Sequence, residues 1–93
     1  MAEVTSDKTK AKAKEALLEM AKKWEKEPGK TQHAIEIYEK VIGIDPESRE
    51  AEQARNALLE IARRFEKEGK KYSAYYIYQK MSYGKEGLSK RPV

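Results

Sequence analysis

The sequence predicts an all-α fold, with four helices arranged as two tandem helix-turn-helix repeats. Apolar residues recur at helical spacing, and no segment alternates polar and apolar residues as a half-buried strand does. One amphipathic segment also occurs twice, as ALLEMAKKWEKEPGK from Ala16 and as ALLEIARRFEKEGKK from Ala57. We therefore predict four antiparallel helices in a single domain over residues 7–83, with repeat one at about 7–44 and repeat two at about 45–83.

The first repeat is predicted to contain two helices separated by a Pro-Gly turn. Ser6 or Asp7 would cap the first turn of the first helix. The apolar stripe of this helix is Leu17, Met20, Ala21 and Trp24. Pro28 ends the helix because proline has no backbone N–H to donate, and Gly29 tolerates the turn. The second helix should cover about 31–43. Its inward residues are predicted to be Ala34, Ile37, Tyr38 and Val41.

The second repeat is predicted to have the same arrangement. Asp45 suits the N-cap position of the third helix and Pro46 its first residue, so this helix should cover 46–68 and end at Gly69. Its apolar stripe is Leu58, Ile61, Ala62 and Phe65. The fourth helix should cover about 70–83. Its inward residues are predicted to be Ala74, Tyr78 and Met81.

The composition is typical of one soluble, helix-rich domain. Charged residues make up 39% of the 93 residues, and the net charge is +4. The absence of cysteine excludes disulfides, thiolate metal sites and cysteine nucleophiles, and it favours a cytoplasmic location. The charged N-terminus lacks the apolar segment of a secretory signal, and no apolar run is long enough to cross a bilayer. Residues 1–6 and 84–93 are predicted to be flexible or disordered, because they have little to bury.

The two copies of the repeat are related by a nearly constant shift. The stripes of the first and third helices differ by 41 residues, and the inward residues of the second and fourth helices differ by 40. The extra residue lies in the turn, where EKEPGK replaces EKEGK. Repetition at this length is typical of stacked helical arrays, in which one unit is too small to bury its own apolar face.

The repeated positions resemble those of the tetratricopeptide repeat family. That family places a small residue where the two helices of a unit approach, here Ala21 or Ala62, and an aromatic three positions later, here Trp24 or Phe65. The segment AIEIYEKVIGIDP is an especially close match. The resemblance covers about 15–83 and implies a short right-handed solenoid. Three features differ: the period exceeds the family's usual length of about 34 residues, the second unit ends in MSYGKEG rather than Asp-Pro, and no amphipathic capping helix follows it.

The resemblance also implies a concave groove, lined by the first helix of each unit, that holds a peptide. Lys22 and Arg63 occupy the same repeat position. Together they would hold an acidic peptide or a C-terminal carboxylate through charge-assisted hydrogen bonds. The other residues assigned to this groove are Leu18, Lys26, Asn56, Leu59 and Lys67, with Glu15, Glu25 and Glu66 at matching positions. The alternative is that these are simply solvated charges.

The tyrosine-rich fourth helix, with the segment YSAYYIYQKMSY, is a second surface predicted to bind a partner. One face of a helix cannot bury all of these residues inside the domain. Tyr78 and Met81 are core by pattern, and Tyr75 partly so. The residues predicted to remain for a partner are Tyr72, Tyr76, Ile77 and Tyr83. Aromatic residues are enriched at protein interfaces, so we predict a homodimer or a docked partner here, with partial exposure in a monomer as the alternative.

The function that fits these features is a non-catalytic protein-protein interaction module with no cofactor, no metal and no membrane partner. His33 is the only histidine, and neither a glycine-rich phosphate loop nor an HExxH motif is present. The alternative function is a small basic nucleic-acid-binding protein. Its cations would be Lys8, Lys10, Lys12 and Lys14 near the start, and Lys85, Lys90 and Arg91 near the end. These cations would otherwise only solvate the ends.

Overall fold

The computed structural model describes residues 2–84, and the side chains of residues 8–81. Within that range the protein is all-α and contains no strand, which confirms the predicted fold class. The four helices are α1 (Ala2–Lys26), α2 (Thr31–Ile44), α3 (Arg49–Lys67) and α4 (Lys71–Gly84). None of the helices described has the length and apolar character required to cross a membrane.

The chain forms two compact units, one ending at Arg55 and the other starting at Asn56. The first unit contains α1, α2 and the beginning of α3. The second contains the remainder of α3 together with α4. The predicted boundary between the repeats, after Ile44, is the connection from α2 to α3.

In the first unit, α1 and α2 form an antiparallel hairpin. Near the end of α1, Glu25 accepts a hydrogen bond of 2.6 Å from the hydroxyl of Tyr38 in the middle of α2. Near the middle of α1, Lys14 Nζ lies 3.2 Å from a carboxylate oxygen of Asp45, the residue after α2. Contacts that move back along α1 as they move forward along α2 define the antiparallel direction, as expected from so short a connection.

A type II turn closes this first hairpin. The amide of Lys30 donates to the carbonyl of Glu27 at 3.1 Å, and Gly29 has a φ of 76°. A type II turn requires positive φ at its third residue, which favours glycine, and it accepts proline at its second. Pro28 and Gly29 supply both.

A Schellman motif closes the second hairpin, between α3 and α4. The amide of Lys70 donates to the carbonyl of Phe65 at 2.8 Å, and the amide of Gly69 donates to that of Glu66 at 3.0 Å. Gly69, with a φ of 82°, is the left-handed residue that this motif places after the helix. The one-residue difference between the repeats is therefore a difference in turn type.

Substitution of glycine by alanine should have opposite effects at two positions. Gly69→Ala should destabilise the fold by about 1–2 kcal/mol, because an L-residue is strained at this positive φ. Gly43 lies within α2, and an added Cβ would meet nothing within 4 Å. Gly43→Ala should therefore stabilise the fold by about 0.5–1 kcal/mol. Urea unfolding of both variants measures the sign of each change in the free energy of unfolding. A lower midpoint for Gly43→Ala would contradict the helical assignment of that residue.

The third helix begins at Arg49, three residues later than predicted, and its N-cap is Ser48 rather than Asp45. The hydroxyl oxygen of Ser48 accepts the amide of Ala51 at 3.1 Å, which is the bond that an N-cap side chain makes. The same hydroxyl donates to the carbonyl of Asp45 at 2.7 Å. Pro46 lies instead in a turn closed by the amide of Ser48.

The first helix begins at Ala2, earlier than the predicted start at Ser6 or Asp7. These two residues therefore lie inside α1 and do not cap it, and the segment predicted to be flexible is helical from its second residue. No glycine or proline interrupts this segment, and its alanines and lysines favour helix. Apart from Gly84, the last residue of α4, the tail predicted to be disordered lies outside the described residues.

Much of the predicted core is confirmed. The predicted residues that are buried are Ala21, Ala34, Tyr38, Val41, Leu58, Ile61, Ala62 and Ala74. The prediction is wrong for Met20, which is exposed, and for several residues that are only half-buried. The half-buried ones are Leu17, Trp24, Ile37, Phe65, Tyr78 and Met81.

Other residues take the buried positions. They are Leu18, Ile35, Ala51, Ala54 and Ile77. In α1 the buried stripe is shifted by one position, from Leu17 to Leu18. Ala51 and Ala54 lie in the segment ESREAEQARN, which holds the extra length of the repeat. Their burial shows that this segment packs and does not merely extend α3.

Candidate functional site

The same tyrosine-glutamate hydrogen bond occurs in both hairpins. Tyr38 donates to Glu25 at 2.6 Å, and Tyr78 donates to Glu66 at 3.1 Å. The two tyrosines are related by the shift of 40 residues and the two glutamates by the shift of 41. Each bond holds a carboxylate at a position that the family resemblance assigned to the binding groove.

A lysine at each turn also lies over the aromatic ring that precedes the turn. Lys30 Nζ is 5.6 Å from the ring centroid of Trp24, and Lys70 Nζ is 5.6 Å from that of Phe65. Such contacts contribute about 0.5–1 kcal/mol at exposed sites. Trp24 also has a neighbour without a counterpart in the second hairpin, since its ring lies 5.2 Å from that of His33.

The polar residues assigned to the groove are exposed. They are Lys22, Lys26, Asn56, Arg63 and Lys67. Leu59 is half-buried, and Leu18 is buried in the core, so the assignment of Leu18 to a binding surface is wrong. The shift of the α1 stripe turns this side chain inward. Glu15 and Glu66 are exposed, and Glu25 is half-buried beneath Tyr38.

Arg63 is held only weakly. Its guanidinium lies 4.0 Å from the carboxylate of Glu60, one turn earlier in α3, and both side chains are mostly exposed. Ion pairs in such high dielectric contribute little to stability. This contact therefore constrains the Arg63 side chain only slightly.

The pKa of Tyr78 is raised above its usual value near 10. Burial of the phenol raises it, the hydrogen bond to Glu66 and the negative charge of Glu66 raise it further, and Arg63 lowers it. Because the folded-state pKa is raised, the stabilisation linked to this group is complete below the unfolded-state value. It is lost as the pH rises through the folded-state pKa.

Glu66→Gln should lower the pKa of Tyr78, because the neutral amide removes the charge that opposes phenolate formation. Ultraviolet titration of the phenols measures this, with a Tyr78→Phe variant identifying the contribution of Tyr78. Identical titration curves for the wild type and Glu66→Gln would show that Glu66 does not act on this tyrosine.

The exposed surface of α4 carries three tyrosines. Tyr72 is 90% exposed, Tyr75 61% and Tyr76 42%. The prediction that Tyr75 belongs partly to the core is therefore wrong. Ile77 is buried, and its assignment to this surface is wrong. It belongs to the core because Ala74, Ile77, Tyr78 and Met81 follow the i, i+3, i+4, i+7 spacing of one helical stripe. The Tyr83 side chain lies outside those described.

The three tyrosines and Gln79 form one strip of α4, which we call the tyrosine face. At 100° per residue, Lys71 and Lys80 lie on its two opposite edges. Lys80 Nζ lies 5.4 Å from the ring centroid of Tyr76, and α4 contains no aspartate or glutamate. The face is therefore an aromatic strip with a cation along each edge. The sequence interpretation missed these lysines, although the one-sided charge of the segment was a usable signal.

One of the cations assigned to nucleic-acid binding is not available for it. The Lys14 side chain is only 12% exposed and lies 3.2 Å from Asp45 and 3.7 Å from Glu50. Lys8, Lys10 and Lys12 are exposed. This end of α1 therefore presents fewer free charges than its sequence indicated.

Comparisons with known proteins identify no relative from which a site could be transferred. No family model, no curated protein and no solved structure matches the chain. Across the part of the chain that the structure describes, no three or more acidic or histidine side chains are grouped to hold a metal ion. The residues of the two hairpins are thus the basis for assigning a function.

Proposed function

We propose that this chain is a non-catalytic protein-interaction module built from two tetratricopeptide-like hairpins. The observation that carries the proposal is the tyrosine face. Single exposed apolar residues are ordinary, but a contiguous apolar patch marks an interaction site. Three neighbouring tyrosines remain open on a helix whose Ala74 and Ile77 are almost fully buried.

The exposed cations of the repeat support a second binding surface on the same module. Lys22 and Arg63 stand at the same position of their repeats, and both side chains are exposed. Each follows the buried alanine of its hairpin by one residue, so the same helix face is turned outward in both units. An acidic peptide or a terminal carboxylate is the ligand that guanidinium and ammonium groups recognise.

The other partners have less support. Two tyrosine faces in direct contact would bring cationic edges together, and like charges across an interface are unfavourable. This argues against the homodimer through α4. The pairing of Lys14 with two carboxylates likewise weakens the nucleic-acid alternative. A cytoplasmic location, inferred from the cysteine-free sequence, is part of the proposal.

Affinity purification with matched variants tests the proposal. The variant Y72S/Y75S/Y76S removes the tyrosine face, and K22E/R63E reverses the two repeat cations. The control Q32S/E36S changes exposed residues of α2 that are equivalent to Tyr72 and Tyr76. We expect specific partners to be lost with one of the first two variants and retained with the control.

A set of co-purified proteins that neither Y72S/Y75S/Y76S nor K22E/R63E changes would contradict the proposal. Raising the salt concentration distinguishes the proposed function from nucleic-acid binding, because binding to phosphates through several lysines weakens steeply with salt. Binding through the tyrosine face should weaken only modestly over the same range.

A further inference from the structure

The two hairpins differ at one equivalent position on their second helices. Ile35 in α2 is 1% exposed, whereas Tyr75, 40 residues later in α4, is 61% exposed. Neither residue is on the stripe that carries the tyrosine-glutamate bond, since each lies about 60° from its tyrosine at 100° per residue. At this position the first hairpin is covered and the second is open, whereas Gln32 and Glu36, the α2 equivalents of Tyr72 and Tyr76, are exposed.

The first compact unit shows what kind of helix completes a hairpin. It includes the beginning of α3 as well as α1 and α2. On that segment Ala51 and Ala54 are fully buried, while Glu50 makes an ion pair with Lys14 of α1. The completing helix therefore combines small apolar residues on one side with a carboxylate directed at a lysine.

The second unit has the cations for such a helix but no carboxylate on α4. Lys71 and Lys80 border the tyrosine face on its two sides, and both are exposed. At the positions that correspond to Asp45 and Glu50, the sequence has Lys85 and Lys90. Lysines supply no carboxylate, so a partner protein that carries carboxylates would complement Lys71 and Lys80.

We propose that the tyrosine face docks an acidic amphipathic helix from another protein. Small apolar residues of that helix pack on Tyr72, Tyr75 and Tyr76, and carboxylates on its two edges pair with Lys71 and Lys80. Tyrosine suits this role because it contributes a large contact area at low entropic cost. The inference rests on the proposed interaction function and adds the chemistry of the partner.

A pair of synthetic peptides tests the charge pattern directly. The first is a helical 16-residue peptide with an Ala/Leu stripe bordered by glutamates, and the second has lysine at each glutamate. Isothermal titration against the full chain should show the lysine peptide binding about tenfold or more weakly than the glutamate peptide. In K71E/K80E this preference should reverse.

Two further variants separate the tyrosine face from general electrostatics. Y75A/Y76A should lose binding of the glutamate peptide by about tenfold or more. Lys40→Glu, at the α2 position equivalent to Lys80, should bind the glutamate peptide as the wild type does. Circular dichroism confirms that each variant retains its helices.

Equal binding of the two peptides by the wild type, or loss with Lys40→Glu as large as with K71E/K80E, would overturn the inference. So would failure of the glutamate peptide to bind, or a dimer in light scattering that Y75A/Y76A dissociates. If the peptide fails but the affinity-purified partners still depend on the tyrosines, only the acidic-helix assignment is lost. If those partners are independent of the tyrosines, the proposed function of this face fails as well.

Discussion

Tyr38→Ala is expected to lower the free energy of unfolding by about 3–5 kcal/mol, the range for truncation of a large buried aromatic residue. Tyr38 is among the largest fully buried side chains, and its hydroxyl holds Glu25 at the α1–α2 contact. Truncation therefore leaves both a cavity and a carboxylate without this donor. Tyr78→Ala removes the equivalent side chain of the second hairpin but should cost clearly less, because Tyr78 is only half-buried.

Urea unfolding followed by circular dichroism measures both variants. Tyr38→Phe is the matched control, and it should cost only about 1 kcal/mol, because it keeps the ring and removes one hydrogen bond. A domain of this size is stable by about 5–15 kcal/mol, so Tyr38→Ala can populate the unfolded state without denaturant. Equal losses for Tyr38→Ala and Tyr78→Ala would contradict the difference in burial between the hairpins.

Lys14→Met is expected to destabilise the chain by about 1–2 kcal/mol, more than a surface charge normally contributes. The substitution keeps a side chain of similar length and removes the charge shared by Asp45 and Glu50. The expected loss of stability is modest because the Asp45 side chain is 41% exposed and solvent screens its interaction with Lys14. The effect should shrink at high salt, which screens exposed pairs most.

Lys12→Met is the control, since Lys12 is an exposed residue of the same helix. Its effect should stay within about 0.5 kcal/mol, as for most surface substitutions. Urea unfolding at low and high salt gives both values. A Lys14→Met variant as stable as Lys12→Met would show that the contacts of Lys14 do not tie α1 to the α2–α3 connection.

The helices and the repeat could be predicted from the sequence because both depend on local spacing. The turns were equally accessible, since Pro28, Gly29 and Gly69 each have a conformational requirement that few other residues meet. The start of α3 was misplaced because Asp45-Pro46 is a good cap by itself. Ser48 is also a good cap, and its hydroxyl donates a hydrogen bond to the carbonyl of Asp45 in the preceding turn as well.

The orientation of α1 could not be predicted from its apolar residues alone. Trp24 and Met20 indicated a stripe centred on Leu17, but the helix turns Leu18 inward. Glu25 and Lys14 lie along this inward stripe because each has a polar partner there. A pattern that counts charged residues as outward therefore misplaces the stripe by one position.

The tyrosine face was predicted only in part for a related reason. The sequence shows that α4 has more aromatic residues than one face can bury, but not which of them are left outside. Ile77 takes a core position and Tyr75 an exposed one. That outcome depends on what covers the outer side of the helix, which is a tertiary property.

Nitration of tyrosines by tetranitromethane, followed by mass spectrometry, tests most directly whether the second hairpin is built like the first but left open. We expect rapid modification of Tyr72 and Tyr75, slower modification of Tyr76 and Tyr78, and protection of Tyr38 until the chain unfolds. Modification of Tyr38 as fast as that of Tyr72, or protection of Tyr72 and Tyr75 in the folded monomer, would contradict this expectation.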